Sequence, residues 1–199
     1  YLATGDQVTA EAALKEIRSL DSGNYWAHTQ MLSIQEKAQQ WEQASETAEQ
    51  ILKLEGNRSK KPLARYGVAR GDQLYRQKEY HKARIAYKEA ISLDPTCVQA
   101  YLSIGDSYAE EQRYEDAVTF WTKLITAVPE QAHMVIDRLK TTLFELGRYG
   151  DIADICQDIL AHAPGNATAR RTLAEFHQRK GDSEMAIAML EQLVEDHSD

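Results

Sequence analysis

Six histidines, two cysteines and several adjacent carboxylates are the side chains through which this chain could do chemistry. A metal site needs two or more ligands close together on one face, yet His28, His81, His133, His162, His177 and His197 fall about one to each helix or turn. They read as surface or turn residues. Cys97 and Cys156 form no CxxC pair; Cys97 falls in a turn and Cys156 reads as a small buried hydrophobe, usage that fits a reducing compartment. No HExxH, GxSxG or glycine-rich phosphate loop is present, so the metal, hydrolase and nucleotide motifs are missing. Glu110-Glu111 and Glu115-Asp116 flank a turn where water keeps them ordinary, whereas a catalytic acid needs burial or a like-charge neighbour. The expectation is a chain with no catalytic residue, no metal ligand and no cofactor.

Charge offers a second kind of site. The net charge is −8, but residues 58–88 hold ten bases (Arg58, Lys60, Lys61, Arg65, Arg70, Arg76, Lys78, Lys82, Arg84, Lys88) against Asp72 and Glu79. That segment therefore carries +8 and the remainder −16. Such asymmetry points to an anionic partner, lipid or nucleic acid, through a basic patch at Lys60, Lys61, Arg65 and Arg76. It equally describes solvated helix faces that answer acidic neighbours. Nucleic acid is disfavoured, because the aromatics form no stacking platform and the chain is acidic as a whole.

The elements that position these groups are set by a period. Gly71 and Gly105, Tyr80 and Tyr114, Ala83 and Ala117, Tyr87 and Trp121, and Pro95 and Pro129 are five pairs of like residues, each 34 positions apart. In register across small, aromatic and proline positions, they mark a copied supersecondary unit. Mid-helix glycine costs about 1 kcal/mol against alanine, so Gly71 and Gly105 require a close packing partner. Ala83 and Ala117 let a neighbouring backbone approach, Tyr87 and Trp121 fill the space between units, and Pro95 and Pro129 stop a helix. The period predicts an all-α chain of stacked antiparallel helix pairs.

With small residues at repeat positions 8 and 20, bulk at 24 and proline at 32, the units resemble tetratricopeptide repeats. The resemblance implies a right-handed α-solenoid, read here as a single domain over residues 1–199. It comprises a partial repeat at 1–24, repeats at 25–58, 64–97, 98–131, 133–166 and 167–199, and a loop insertion at 56–63. Tyr1 would fall at repeat position 11, so the chain is expected to begin inside a repeat, as a piece of a longer protein. The fourth complete unit departs from the pattern, with Lys140 at position 8 and Ile152 at position 20, and is expected to pack more loosely or at a changed angle.

In this family a protein partner lies in the groove lined by first helices, at repeat positions 2, 5, 9, 12 and 13. Carried onto this chain, those positions single out Trp26, Arg65, Asp72, Tyr75, Arg76, Asp106, Met134, Phe144 and Arg171 as candidate contacts. Aromatics and methionine there would anchor a peptide or helix, or else pack between adjacent first helices. The lysine and asparagine that hold a terminal carboxylate in chaperone-binding members are missing: position 5 is Thr29, Val68, Leu102, Asp137 or Arg171, and position 9 is Ser33, Asp72, Asp106, Thr141 or Glu175.

A narrower resemblance rests on Leu32-Ser33-Ile34-Gln35, Trp41-Glu42-Gln43-Ala44, Ile51-Leu52-Lys53-Leu54, the basic loop at Lys60-Lys61, Leu146-Gly147 and Leu173-Ala174-Glu175. In this order they are similar to the central repeats of the lipopolysaccharide assembly protein B family. That family implies a bacterial, cytoplasmic repeat region tethered to the inner membrane, with a rubredoxin-like zinc module beyond it. It also implies an adaptor role, linking a membrane-bound ATP-dependent protease to the deacetylase that commits carbon to lipid A. The expected partners are proteins, without a small-molecule substrate.

Overall fold

Alternation of apolar stripes with capped turns makes every described element a helix. The computed structural model describes residues 7–195, which fall into two compact units, 1–97 and 98–199. The first contains α1 (Gln7–Leu20), α2 (Tyr25–Lys37), α3 (Trp41–Leu54), α4 (Ala64–Arg76) and α5 (Tyr80–Leu93). The second contains α6 (Val98–Glu110), α7 (Tyr114–Ala127), α8 (His133–Glu145), α9 (Asp151–His162), α10 (Ala167–Lys180) and α11 (Ser183–Glu195). The fold is all-α and of the repeat class, with no strand among the described residues. Tyr1 and His197 lie outside those residues. No described helix is long and apolar enough to cross a membrane.

Helix ends follow from the residues present. The Asn24 and Asn166 side chains accept from the amides of Ala27 and Ala169 at 2.9 and 3.0 Å, satisfying a first-turn donor of α2 and of α10. α5 stops before Pro95 and α7 before Pro129, whose rings cannot continue a helix. The inserted loop and the segment that begins at Pro129 carry one turn of 3-10 helix each, Lys61–Leu63 and Pro129–Gln131. The basic loop thus ends at Lys60, three residues before the end of the 56–63 insertion, because Pro62 fits a first helical turn.

The repeating glycines meet the repeating aromatics. A Cβ on Gly71 would lie 2.3 Å from the Tyr87 ring, and one on Gly105 2.2 Å from the Trp121 indole. Each aromatic therefore lies across its own pair's glycine and fills space inside the pair. Tyr87 also donates from its hydroxyl to Asp72 at 2.8 Å, and Trp121 donates its indole N–H toward the Leu102 carbonyl at 3.4 Å. Ala83 and Ala117 are fully buried. Gly67, which the period does not mark, would set a Cβ 3.1 Å from the Ala86 carbonyl and from Ala90 Cβ, so α4 and α5 cross closely there as well.

The fourth pair exchanges these sizes. Lys140 occupies the glycine position and Cys156 the aromatic one, so a long side chain faces a small one. Lys140 Nζ reaches Glu175 on α10 at 2.8 Å, and Cys156 is wholly buried. Burial pushes the Cys156 thiol up to about 12, beyond the reach of the opposing Lys140 charge, so it stays protonated at neutral pH. α8 and α9 meet over a much shorter stretch than α4 and α5 or α6 and α7, and α9 packs chiefly on α10. Loosening follows from losing the glycine that permits close crossing.

A second periodic device lies in the turns inside each pair. Gln39, Lys78, Gln112, Gly147 and Gly181 all have positive φ, between 55° and 92°. Each ends a first helix in a Schellman cap: the amide of Lys78 bonds to the Tyr75 carbonyl and that of Glu79 to Leu74, both at 2.9 Å, and the other four turns repeat the pattern. A non-glycine residue in this conformation costs about 1–2 kcal/mol, while glycine adds about 0.5–1 kcal/mol of unfolded-state entropy. Lys78→Gly is therefore expected to stabilise unit 1 by about 0.5–1 kcal/mol, read as a higher urea midpoint at unchanged slope. An unchanged or lower midpoint would contradict this reading of the turn.

Candidate functional site

Position along a first helix decides what each candidate side chain can touch. In unit 1, Trp26 is the second residue of α2, and its indole is 56% exposed. Arg65, near the start of α4, is already engaged: its guanidinium stacks 4.6 Å from the Tyr66 ring centroid and donates to Glu36 of α2 at 3.1 Å. Tyr66 donates to the same carboxylate oxygen at 2.8 Å. Asp72 accepts from Tyr87 and so braces the pair. Tyr75 is half-buried, edge-on to Tyr80 with ring centroids 5.3 Å apart. Arg76, the last residue of α4, is exposed.

In unit 2, Asp106 of α6 takes a two-pronged bond from Arg138 of α8, at 2.7 and 3.1 Å. That bond tightens the guanidinium's hold on its proton and joins the first helices of successive pairs. Asp106 is thus a staple with limited capacity for a partner. Met134 is 38% exposed and Phe144 66% exposed, ten residues or about 15 Å apart along α8. Arg171 is exposed on α10. Phe144 stands edge-on to Tyr149 at 6.4 Å; Tyr149 neighbours Phe176 at 6.1 Å and lies under Arg179 at 5.2 Å.

This aromatic cluster extends the residues singled out by repeat position. Its signal is the period itself, since Tyr149 stands where Tyr80 and Tyr114 stand in other pairs. Tyr75 with Tyr80 and Phe144 with Tyr149 are one contact repeated, position 12 against position 17. Position-12 aromatics therefore pack partly within their own pair, and Phe144 still leaves most of its ring open.

The basic segment is largely answered from inside unit 1. Lys60 pairs with Glu49 at 3.0 Å, Lys61 with Asp94 at 3.5 Å, and Lys82 with Glu79 at 2.5 Å. Arg70 meets Glu89 closely and Glu42 at 3.9 Å. Counting Arg65, at least five of the ten bases are in ion pairs, and Arg58, Arg76 and Lys78 stand exposed. Lys60 holds the Glu49 carboxyl below its usual range through their hydrogen bond, and the Thr96 hydroxyl does the same to Asp94.

One histidine departs from the surface reading. His28 is buried on the inner face of α2, and its Nε2 contacts the Ser22 carbonyl at 3.0 Å. A carbonyl only accepts, so Nε2 carries a proton, while the buried Nδ1 has no hydrogen-bond partner among the described residues. Among the described residues no cluster of histidine, cysteine and carboxylate could hold a metal ion.

Three family models of the tetratricopeptide repeat match this chain, over residues 71–112, 99–130 and 143–199. Among curated proteins, lipopolysaccharide assembly protein B of Escherichia coli (strain K12) is 21% identical over 197 residues, covering 99% of this chain and 50% of that protein. Superkiller protein 3 of Schizosaccharomyces pombe is 22% identical over 181 residues, covering 90% of this chain and 13% of its own length. The chain thus spans about half the length, or less, of these relatives. A solved structure described as YrrB, a TPR protein with an unusual peptide-binding site, has TM-score 0.46 at 13% identity, covering 94% of this chain and 93% of that one. Repeats of this kind are protein–protein interaction scaffolds. With its paired helices and 34-residue period, the chain is a tetratricopeptide repeat protein, with a narrow likeness to lipopolysaccharide assembly protein B.

Proposed function

We propose that the chain is a non-catalytic adaptor that holds a peptide, helix or partner domain against its first helices. Trp26, Tyr75 and Arg76 serve in unit 1, and Met134, Phe144 and Arg171 in unit 2. The observation that carries this reading is Phe144, a phenylalanine left 66% exposed while Tyr66, Tyr87, Tyr101, Tyr108 and Trp121 are buried. A ring of that size offers much contact area for little ordering entropy, and an arginine fork supplies directional bonds to carboxylates. Arg65, Asp72 and Asp106 are assigned a lesser part, because they already join helices. On the likeness to lipopolysaccharide assembly protein B, the adaptor would regulate lipopolysaccharide synthesis by bringing a membrane-bound protease to its substrate at the cytoplasmic face of the inner membrane.

Changing Tyr75, Arg76 and Phe144 together to serine is expected to abolish partner capture while leaving helical circular dichroism intact. Each side chain is at least partly exposed, so the fold should tolerate the change. An unaltered set of captured proteins would sink the surface assignment.

A further inference from the structure

One flank of α11 is apolar and open. Ile187, Leu190 and Val194, three and four residues apart on one stripe of the helix, are 55%, 45% and 64% exposed. Leu190 stands where Ala48, Trp121 and Cys156 stand on α3, α7 and α9, and Val194 where Leu52, Ile125 and Leu160 stand; none of those six is exposed. A following first helix accounts for the difference. α4 packs on α3, α8 on α7 and α10 on α9, whereas α11 packs chiefly on α10. The contact after α3 shows what such a flank receives: Leu63 and Tyr66 close against Ala44 and Ala48.

Charge repeats together with shape. Glu42, Glu115 and Glu184 occupy one repeat position, in the first turn of α3, α7 and α11, two residues before the buried Ala44, Ala117 and Ala186. In both units an arginine of the following pair reaches that carboxylate, Arg70 to Glu42 at 3.9 Å and Arg148 to Glu115 at 2.6 Å. Glu184 is exposed and forms no ion pair among the described residues. Glu191, two turns further, is exposed along the same edge of the apolar stripe.

We propose that the open flank of α11 binds a basic amphipathic helix of a partner protein. That helix carries apolar residues three and four apart, which cover Ile187, Leu190 and Val194, and beside them an arginine or lysine that pairs with Glu184. The acidic edge selects this occupant over a second copy of the chain. Two α11 flanks set face to face would crowd Glu184 and Glu191 of both copies along one seam, and like charges there oppose association. The flank belongs to a second helix and is separate from the first-helix surface, so this proposal and the adaptor reading stand or fall independently.

The probe is a peptide copying residues 61–77, which contains α4 with Tyr66 and Arg70 and carries four bases to one acid. A staple on its far side keeps it helical alone, and fluorescence anisotropy measures its binding to the natural full-length polypeptide. Saturable binding is expected, weakened at least about tenfold by Leu190→Ser through lost apolar contact. Glu184→Arg, a change at an exposed position, is expected to weaken it about threefold. Helical circular dichroism checks that both variants fold. A peptide with Arg70→Glu should bind the original chain about threefold less well and recover on the Glu184→Arg chain, which apolar adhesion alone does not produce. No binding by the full-length polypeptide, or binding unaltered by both substitutions, overturns the proposal. Light scattering that gives twice the chain mass, halved by Leu190→Ser, also overturns it and assigns the flank to a second copy.

Discussion

Gly105→Ala is expected to destabilise unit 2 by about 2 kcal/mol, although alanine is the better helix former by about 1 kcal/mol. Geometry decides the sign. The new methyl would lie 2.2 Å from Trp121 Nε1, and the indole, 2% exposed, has no room to withdraw. Either the helices part, losing contact along α6 and α7, or the ring leaves its rotamer and its approach to the Leu102 carbonyl. The same argument predicts rescue. In Trp121→Leu the obstructing ring is gone, so adding Gly105→Ala should cost little or nothing, and the two changes should be coupled by at least about 1 kcal/mol. Denaturant midpoints for the four proteins of this cycle provide the measurement; additive effects, or a stabilised Gly105→Ala, would contradict the packing argument. The fourth pair already contains the natural form of this compensation, Lys140 against Cys156.

Tyr87→Ala is expected to cost more, about 3–5 kcal/mol. The ring is 1% exposed and covers Gly71, so its loss leaves a cavity between α4 and α5, and Asp72 loses the hydroxyl that donates to it at 2.8 Å. Tyr87→Phe separates the two contributions. It keeps the volume and removes only the hydrogen bond, and should cost about 1 kcal/mol. If Asp72 is a brace and not a partner contact, Asp72→Ala should resemble Tyr87→Phe in stability and leave partner affinity unchanged. A Tyr87→Ala protein as stable as the original would refute the assignment of this side chain to the core of the pair.

How far the sequence reveals this protein differs between fold and site. Helix pairs are legible because each periodic residue answers a backbone requirement that acts within one pair: glycine under an aromatic, alanine at a crossing, proline after a helix. The weak fourth pair is legible for the same reason, since Lys140 and Cys156 break that local rule together. The left-handed turns at Gln39, Lys78 and Gln112 are hidden, because only Gly147 and Gly181 declare that conformation by residue type. The candidate surface is legible only in part. Repeat position identifies which side chains leave a first helix on one face, but not what another helix brings to meet them. Arg65 finds Glu36, Asp106 finds Arg138, and the basic run finds Glu49, Asp94, Glu79 and Glu89. His28 is buried where the sequence reads a surface or turn residue, because a lone histidine carries no pattern.

The adaptor claim is tested most directly by placing a photo-crosslinking amino acid, one position at a time, on first and second helices in living cells. Trp26, Arg76 and Phe144 represent the first-helix surface, and Glu46, Thr119 and Asp158 are exposed positions on α3, α7 and α9. The account predicts that the first-helix positions capture the same discrete protein partner and that the second-helix positions do not. Capture from the second helices with none from the first would contradict it.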